Sequence, residues 1–269
     1  MPSFVLPSAI SSHRELVENL ILRDIKSRYK QSILGYAWAV FNPLALAFIY
    51  TLVGSVFMRS EARGGLAFAI HAYFGLLFWN LFSTGLSTAT EGLVSHLSLI
   101  TKVYFPREVF PVSAVLSKLV DFAFGLVGII PLLLYYKTIP SFSGLLLILP
   151  VIAIQIVFTM GLGMLLSCAN LFYRDVRYLV QLTLSFWIYL VPNIYTMERP
   201  EAHPTLLPFY LLNPMAVFIE VSRRLVFPQT GPIEPLLPYL GIATVLSVVL
   251  FFVGYVVFKR YEPRFAESI

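Results

Sequence analysis

Charge is scarce in this chain. Of 269 residues only 12% are Asp, Glu, Lys or Arg, against about 25% in an ordinary soluble domain. So few charges cannot cover a water-soluble globule of this size, which excludes a soluble enzyme, a disordered protein and a nucleic-acid reader. Cys168 stands alone, so there is no disulfide framework and no cysteine-rich metal site. No glycine is followed by lysine, so a Walker phosphate-binding loop is missing. Asp24, Asp121 and Asp175 are the only aspartates and form no Asp-x-Asp pair of the sort a metal-dependent sugar transferase uses. His13, His71, His96 and His203 show no metal-ligand spacing.

Apolar residues fill the gap: 58% of the chain is hydrophobic and the mean hydropathy is +0.80. An all-α integral membrane protein follows. A bilayer core of roughly 30 Å needs about 20 helical residues. Runs free of Asp, Glu, Lys and Arg cover 31–58, 64–90, 138–173, 178–197 and 235–258. The stretch 109–136 is apolar but carries Lys118 and Asp121, three apart on one helical face, where they can neutralise each other as a buried structural pair. Together these predict six transmembrane helices. The run 202–219 holds Pro204, Pro208 and Pro214, so it reads as short re-entrant or periplasmic helices between spans five and six.

Loop charge sets the orientation. With the N-terminus inside, twelve basic residues face the cytoplasm (Arg14, Arg23, Lys26, Arg28, Lys30, Lys102, Arg107, Arg174, Arg177, Lys259, Arg260, Arg264). Six face outward (Arg59, Arg63, Lys137, Arg199, Arg223, Arg224). That balance predicts both termini in the cytoplasm. No apolar run long enough for a signal peptide precedes Ile33. Residues 1–32 read instead as a cytoplasmic amphipathic interface helix, with Val17, Ile21, Ile25 and Tyr29 on one stripe and Arg23, Lys26 and Lys30 elsewhere. A solvated cytoplasmic helix is the alternative. Residues 33–269 form the six-span domain. Asp121 is the one acid left inside a span, and it is already paired in this reading. Uphill transport would therefore draw its energy from a partner.

Three segments on the cytoplasmic side stand out: Leu34-Gly35-Tyr36-Ala37-Trp38 with Pro43, Lys102-Val103-Tyr104-Phe105-Pro106-Arg107-Glu108-Val109-Phe110-Pro111, and Phe172-Tyr173-Arg174-Asp175-Val176. On the outer side lie Pro192-Asn193-Ile194-Tyr195, Asn213-Pro214 and Arg223-Arg224. In this order and spacing they resemble the transmembrane subunit of ABC-2-type exporters, in particular the O-antigen and related cell-surface polysaccharide permeases. The resemblance covers nearly the whole chain. It implies a homodimer in the bacterial inner membrane, joined by two cytoplasmic ATPase subunits that bind ATP and Mg²⁺, with no cofactor in this chain. It also implies a lipid-linked glycan substrate and a channel built mainly from spans one and five.

On that basis Trp38, Phe41 and Phe48 of span one, and Phe186 and Tyr189 of span five with Asn193 below them, are candidate channel-lining residues. Aromatic faces can carry the apolar faces of sugar rings. Facing lipid or a neighbouring helix is the ordinary role of such residues, and Trp38 can also mark the cytoplasmic boundary. Tyr104, Phe105, Pro106, Arg107 and Glu108 are the candidate ATPase-docking element, with an ordinary basic loop end as the alternative. Arg174 and Asp175 can orient the loop between spans four and five or touch the same partner. Other cargoes fit the same architecture: capsule, teichoic acid, a lipid or a drug. A membrane enzyme acting on polyprenyl-linked sugars and a purely structural subunit remain as different classes.

Overall fold

The computed structural model describes residues 14–29, 35, 37–57, 66–96 and 106–266, and all regular structure among them is helical. The N-terminal α1 (Arg14–Tyr29) is followed by α2 (Ala37–Phe57), α3 (Phe68–Glu91), α4 (Val109–Gly128) and the short α5 (Ile130–Tyr135). Next come α6 (Phe142–Phe172), α7 (Val176–Trp187), the short α8 (Glu198–Glu201) and α9 (Leu207–Leu211), α10 (Pro214–Val226) and α11 (Leu237–Tyr261).

Among the described residues three helical stretches are long and apolar enough to cross a membrane: Val109–Tyr135, Phe142–Phe172 and Glu234–Phe265. Two of the expected spans differ from a plain apolar helix. The 24 residues of α3 have the length, about 36 Å at 1.5 Å per residue, but one face is polar. The run 178–197 is not one helix. The 12 residues of α7 reach about 18 Å, a 3₁₀ turn follows at Ile188–Leu190, and Val191 is extended at φ −124°, ψ 152°. Pro192 enforces that break, because a residue before proline is pushed out of the helical region.

The core centres on α3. Phe74, Phe78 and Phe82 lie four apart on it and meet Phe227, Phe122 and Phe158 with ring centroids 5.5, 5.2 and 5.7 Å away. Long α6 and α11 pack closely along one crossing. A Cβ on Gly254 would sit 2.4 Å from the Gly161 carbonyl oxygen, so only glycine permits the approach. Between them and α3, α10 is buried on every side. Pro214 takes its first turn, and the Asn213 side chain accepts from Met215 N–H at 3.2 Å. The expected short helices of 202–219 are thus present as α9 and the first half of α10.

At the opposite end, α1 lies on the start of α4. Val17, Leu20 and Ile25 are buried there, and Ser117 Oγ donates to Asp24 at 2.6 Å. Leu20 takes the place expected of Ile21, which is half-buried, and Leu22 stays exposed. The boundary expected at residue 32 lies outside the described residues.

Candidate functional site

The polar face of α3 runs through Asn80, Ser83, Thr84, Ser87, Thr88 and Glu91, with Ser95 just beyond the helix. Steps of three and four place them on one side. Thr84 and Thr88 donate back to the Asn80 and Thr84 carbonyls at 2.6 and 2.7 Å, leaving hydroxyl lone pairs facing outward. Two cavities flank the stripe. One, between α2, α3 and α4, is lined by Trp38, Asn42, Asn80, Thr84, Lys118 and Asp121. The other, between α3 and α7, is lined by Thr84, Ser87, Thr88, Gln181, Ser185 and Lys118. Lys118 is only 6% exposed yet borders both. A search for charge-free runs passes over this stripe, since every member before Glu91 is uncharged. Reading hydroxyls at helical spacing would have found it.

The aromatic candidates are all exposed on the single chain: Trp38 48%, Phe41 56%, Phe48 65%, Phe186 66% and Tyr189 61%. Trp38 and Phe41 meet edge to face at 5.8 Å, and Trp38 forms a wall of the first cavity. Asn193 does not share the Phe186–Tyr189 stripe. The chain has left the helix by then, and Asn193 is fully buried against Gly75, where a Cβ would stand 2.2 Å from its Oδ1. Trp187 turns inward, edge to face with Phe82 at 5.2 Å, and donates from Nε1 to Asn213 Oδ1 at 3.1 Å.

Of the docking candidates, Tyr104 and Phe105 lie outside the described residues. Pro106, Arg107 and Glu108 lead into α4 and are tied to the end of α11. Arg107 donates its backbone N–H to Glu262 Oε1 at 3.2 Å and its Nη1 to the Glu262 carbonyl at 2.7 Å. Its guanidinium stands 5.8 Å from the centre of the buried Phe265 ring. Buried Glu108 accepts from Lys259 Nζ at 2.8 Å, and Lys259 also reaches Glu262 at 3.0 Å. Pro111 sits in the first turn of α4, where its missing N–H costs no intrahelical bond. Close by, His96 Nδ1 lies 2.8 Å from the Gly92 carbonyl and the ring stacks on Phe110 at 4.7 Å. Burial holds the imidazole below its ordinary pKa, against the Gly92 hydrogen bond.

At the far end, Arg223 and Arg224 correct their assignment as loop charges. Both sit on α10 and are 1% and 3% exposed. Glu220, three and four positions back, binds both: Arg223 through Nη1, and Arg224 through Nε at 2.8 Å. Arg224 also bridges to Glu201 at 2.8 Å. Arg223 Nη2 donates to the Pro192 and His71 carbonyls at 2.8 and 3.3 Å, so one side chain ties the segment after α7 to the start of α3. Their charges are neutralised locally and count for little in the loop balance. No cluster of His, Cys, Asp and Glu able to hold a metal occurs among the described residues.

The ABC-2 type transporter family matches residues 15–227. The chain is 30% identical over 258 residues to the O-antigen export system permease protein RfbA of Myxococcus xanthus, covering 96% of both chains. It is 33% identical over 249 residues to the protein of that name from Klebsiella pneumoniae, covering 92% of both. The polysialic acid transport protein KpsM of Escherichia coli is 22% identical over 97% of this chain and 99% of its own length. With matches of this extent, from α1 through α10 and beyond, the chain belongs to the ABC-2 type transporter family.

Proposed function

We propose that this chain is the permease subunit of an ATP-driven exporter that moves a lipid-linked polysaccharide such as O-antigen across a bacterial inner membrane. The observation that carries the cargo is the end-to-end likeness to O-antigen export permeases at about 30% identity. The polar face of α3, set between two cavities in an otherwise apolar bundle, supports a path for hydroxyl-rich cargo. Two copies of the subunit, each with six spans and both ends in the cytoplasm, work with two ATPase subunits that hold ATP and Mg²⁺. Residues 1–32 and 33–269 keep their roles as interface helix and six-span domain.

In this reading Trp38, Phe41, Phe48, Phe186 and Tyr189 face the channel once two copies assemble, which is why they stand exposed on one chain. Tyr104, Phe105 and Pro106 meet the ATPase. Arg107 and Glu108 pass its movement to α11 through Glu262 and Lys259. This chain supplies the path and the coupling surface, and hydrolysis belongs to the partner.

Deleting the chain in a strain that makes the polymer tests this directly. Polymer should accumulate inside while synthesis continues, and the gene in trans should restore surface polymer. Unchanged surface polymer refutes the reading. Likeness to a polysialic acid transport protein over 97% of this chain, and to a capsule polysaccharide export protein over 42% of it, favours capsule polymer as the second cargo, and antibodies against each polymer separate the two.

A further inference from the structure

Where α3, α6 and α7 come together, a cavity is lined by Glu91, Ser95, Asn170, Arg174 and Arg177. Asn170 is 1% exposed and built into the wall: its Nδ2 donates to the Thr90 carbonyl at 3.1 Å, and its Oδ1 accepts the Arg177 backbone N–H at 3.2 Å. That N–H at the start of α7 is already used, so any anion here must be held by side chains. Arg177 donates Nη2 to Tyr178 at 2.7 Å and stacks 4.6 Å from its ring centre, while its buried Nε has no acceptor. Arg174 is exposed and makes no ion pair among the described residues. Two guanidinium groups therefore border one cavity with bonding capacity to spare.

We propose that this pocket binds a phosphate-type anion, in particular the diphosphate that joins a lipid to its glycan. The diphosphate assignment rests on the exporter reading. A guanidinium edge matches two oxygens of one phosphate, and two arginines match the two phosphates of a diphosphate. Glu91 leaves the pocket with a single net positive charge, which favours an anion carrying further polar groups over a bare halide. Glu91 and Ser95 also continue the stripe of Ser87 and Thr88 on α3. A diphosphate seated on the arginines thus delivers its first sugars to that hydroxyl face, with the Glu91 carboxylate accepting from sugar hydroxyls.

The test uses the purified full-length permease in phosphatidylcholine nanodiscs with labelled undecaprenyl diphosphate as probe. Binding should be displaced by inorganic pyrophosphate. Arg174→Gln should weaken it about tenfold, the loss expected for one charge-assisted pair, and the double variant with Arg177→Gln should weaken it further. Glu91→Gln should tighten binding of pyrophosphate itself. Arg174 is exposed, so its variant folds even if the Arg177 variant does not. If phosphatidylglycerol in the nanodisc competes as well as pyrophosphate does, the anion site stands and a bulk headgroup is its source. If it does not compete, the glycan linker is the source. Binding that pyrophosphate cannot displace, or that both arginine variants retain, overturns the proposal. Such a failure leaves the exporter reading intact so long as deleting the chain still stops export. Surface polymer persisting in the deletion strain removes that reading, whatever the pocket binds.

Discussion

Glu108 and Lys259 stand 151 positions apart and meet through a 2.8 Å ion pair at the point where α4 begins and α11 ends. With Arg107 on Glu262 beside it, the pair makes the approach to α4 and the tail of α11 one mechanical unit. A double-mutant cycle of Glu108→Gln and Lys259→Gln should give a coupling of about 1–2 kcal/mol, between the surface-pair and buried-pair scales. Thermal melting of the detergent-purified protein measures it. A coupling near zero means that the two ends are not joined through this pair.

Arg223 makes the strongest stability prediction. Its guanidinium is buried, pairs with Glu220 and donates to two backbone carbonyls. Arg223→Met leaves the Pro192 and His71 carbonyls and Glu220 Oε2 without their donor, with Arg224 still on Oε1, and should cost about 3–5 kcal/mol on the scale for breaking a buried pair. Yield and melting temperature should both fall. Arg224→Met should be milder, because its other partners, Glu201 and the Pro232 carbonyl, are only partly buried and can be taken up by water.

Hydropathy made the helices legible, because a chain with so few charges leaves long runs that can only be helical in lipid. The sites were harder to read. Arg107 finds Glu262 across 155 positions, and Arg224 finds Glu201 across 23. Neither pairing has any local pattern, so both arginines read as free basic residues. Asn193 was placed by counting helical steps past a proline that ends the helix. The stripe on α3 was in plain view, but serine and threonine are too weakly polar to interrupt an apolar run.

The aromatic candidates separate by how they respond to shape. If Trp38, Phe41, Phe48, Phe186 and Tyr189 carry sugar rings, Phe41→Tyr should be mild and Phe41→Ala should reduce export per assembled complex. A lipid-facing residue tolerates Leu, which keeps its apolar surface. A packing residue loses about 3–5 kcal/mol on truncation and shows it as lower abundance. Normal transport by Ala, Leu and Tyr variants at most of the five sites sinks the aromatic path.

His96 should give the α1 end a pH dependence. Its folded pKa lies below the ordinary value of 6.5, chiefly through burial. Between the lowered folded value and 6.5 the unfolded chain binds more protons, so stability is complete above that window and falls as pH drops through it. The melting temperature should therefore decline more between about pH 7.5 and pH 5 in the parent than in His96→Gln. Equal declines exclude His96 as the source.

Transport in inside-out membrane vesicles tests the central claim most directly. Vesicles holding this chain and its ATPase partner are supplied with labelled lipid-linked glycan on the outside. ATP should drive the glycan chain into the lumen, where externally added glycosidase cannot reach it, and vesicles lacking either subunit should protect none. Equal protection without this chain, or without ATP, contradicts the account.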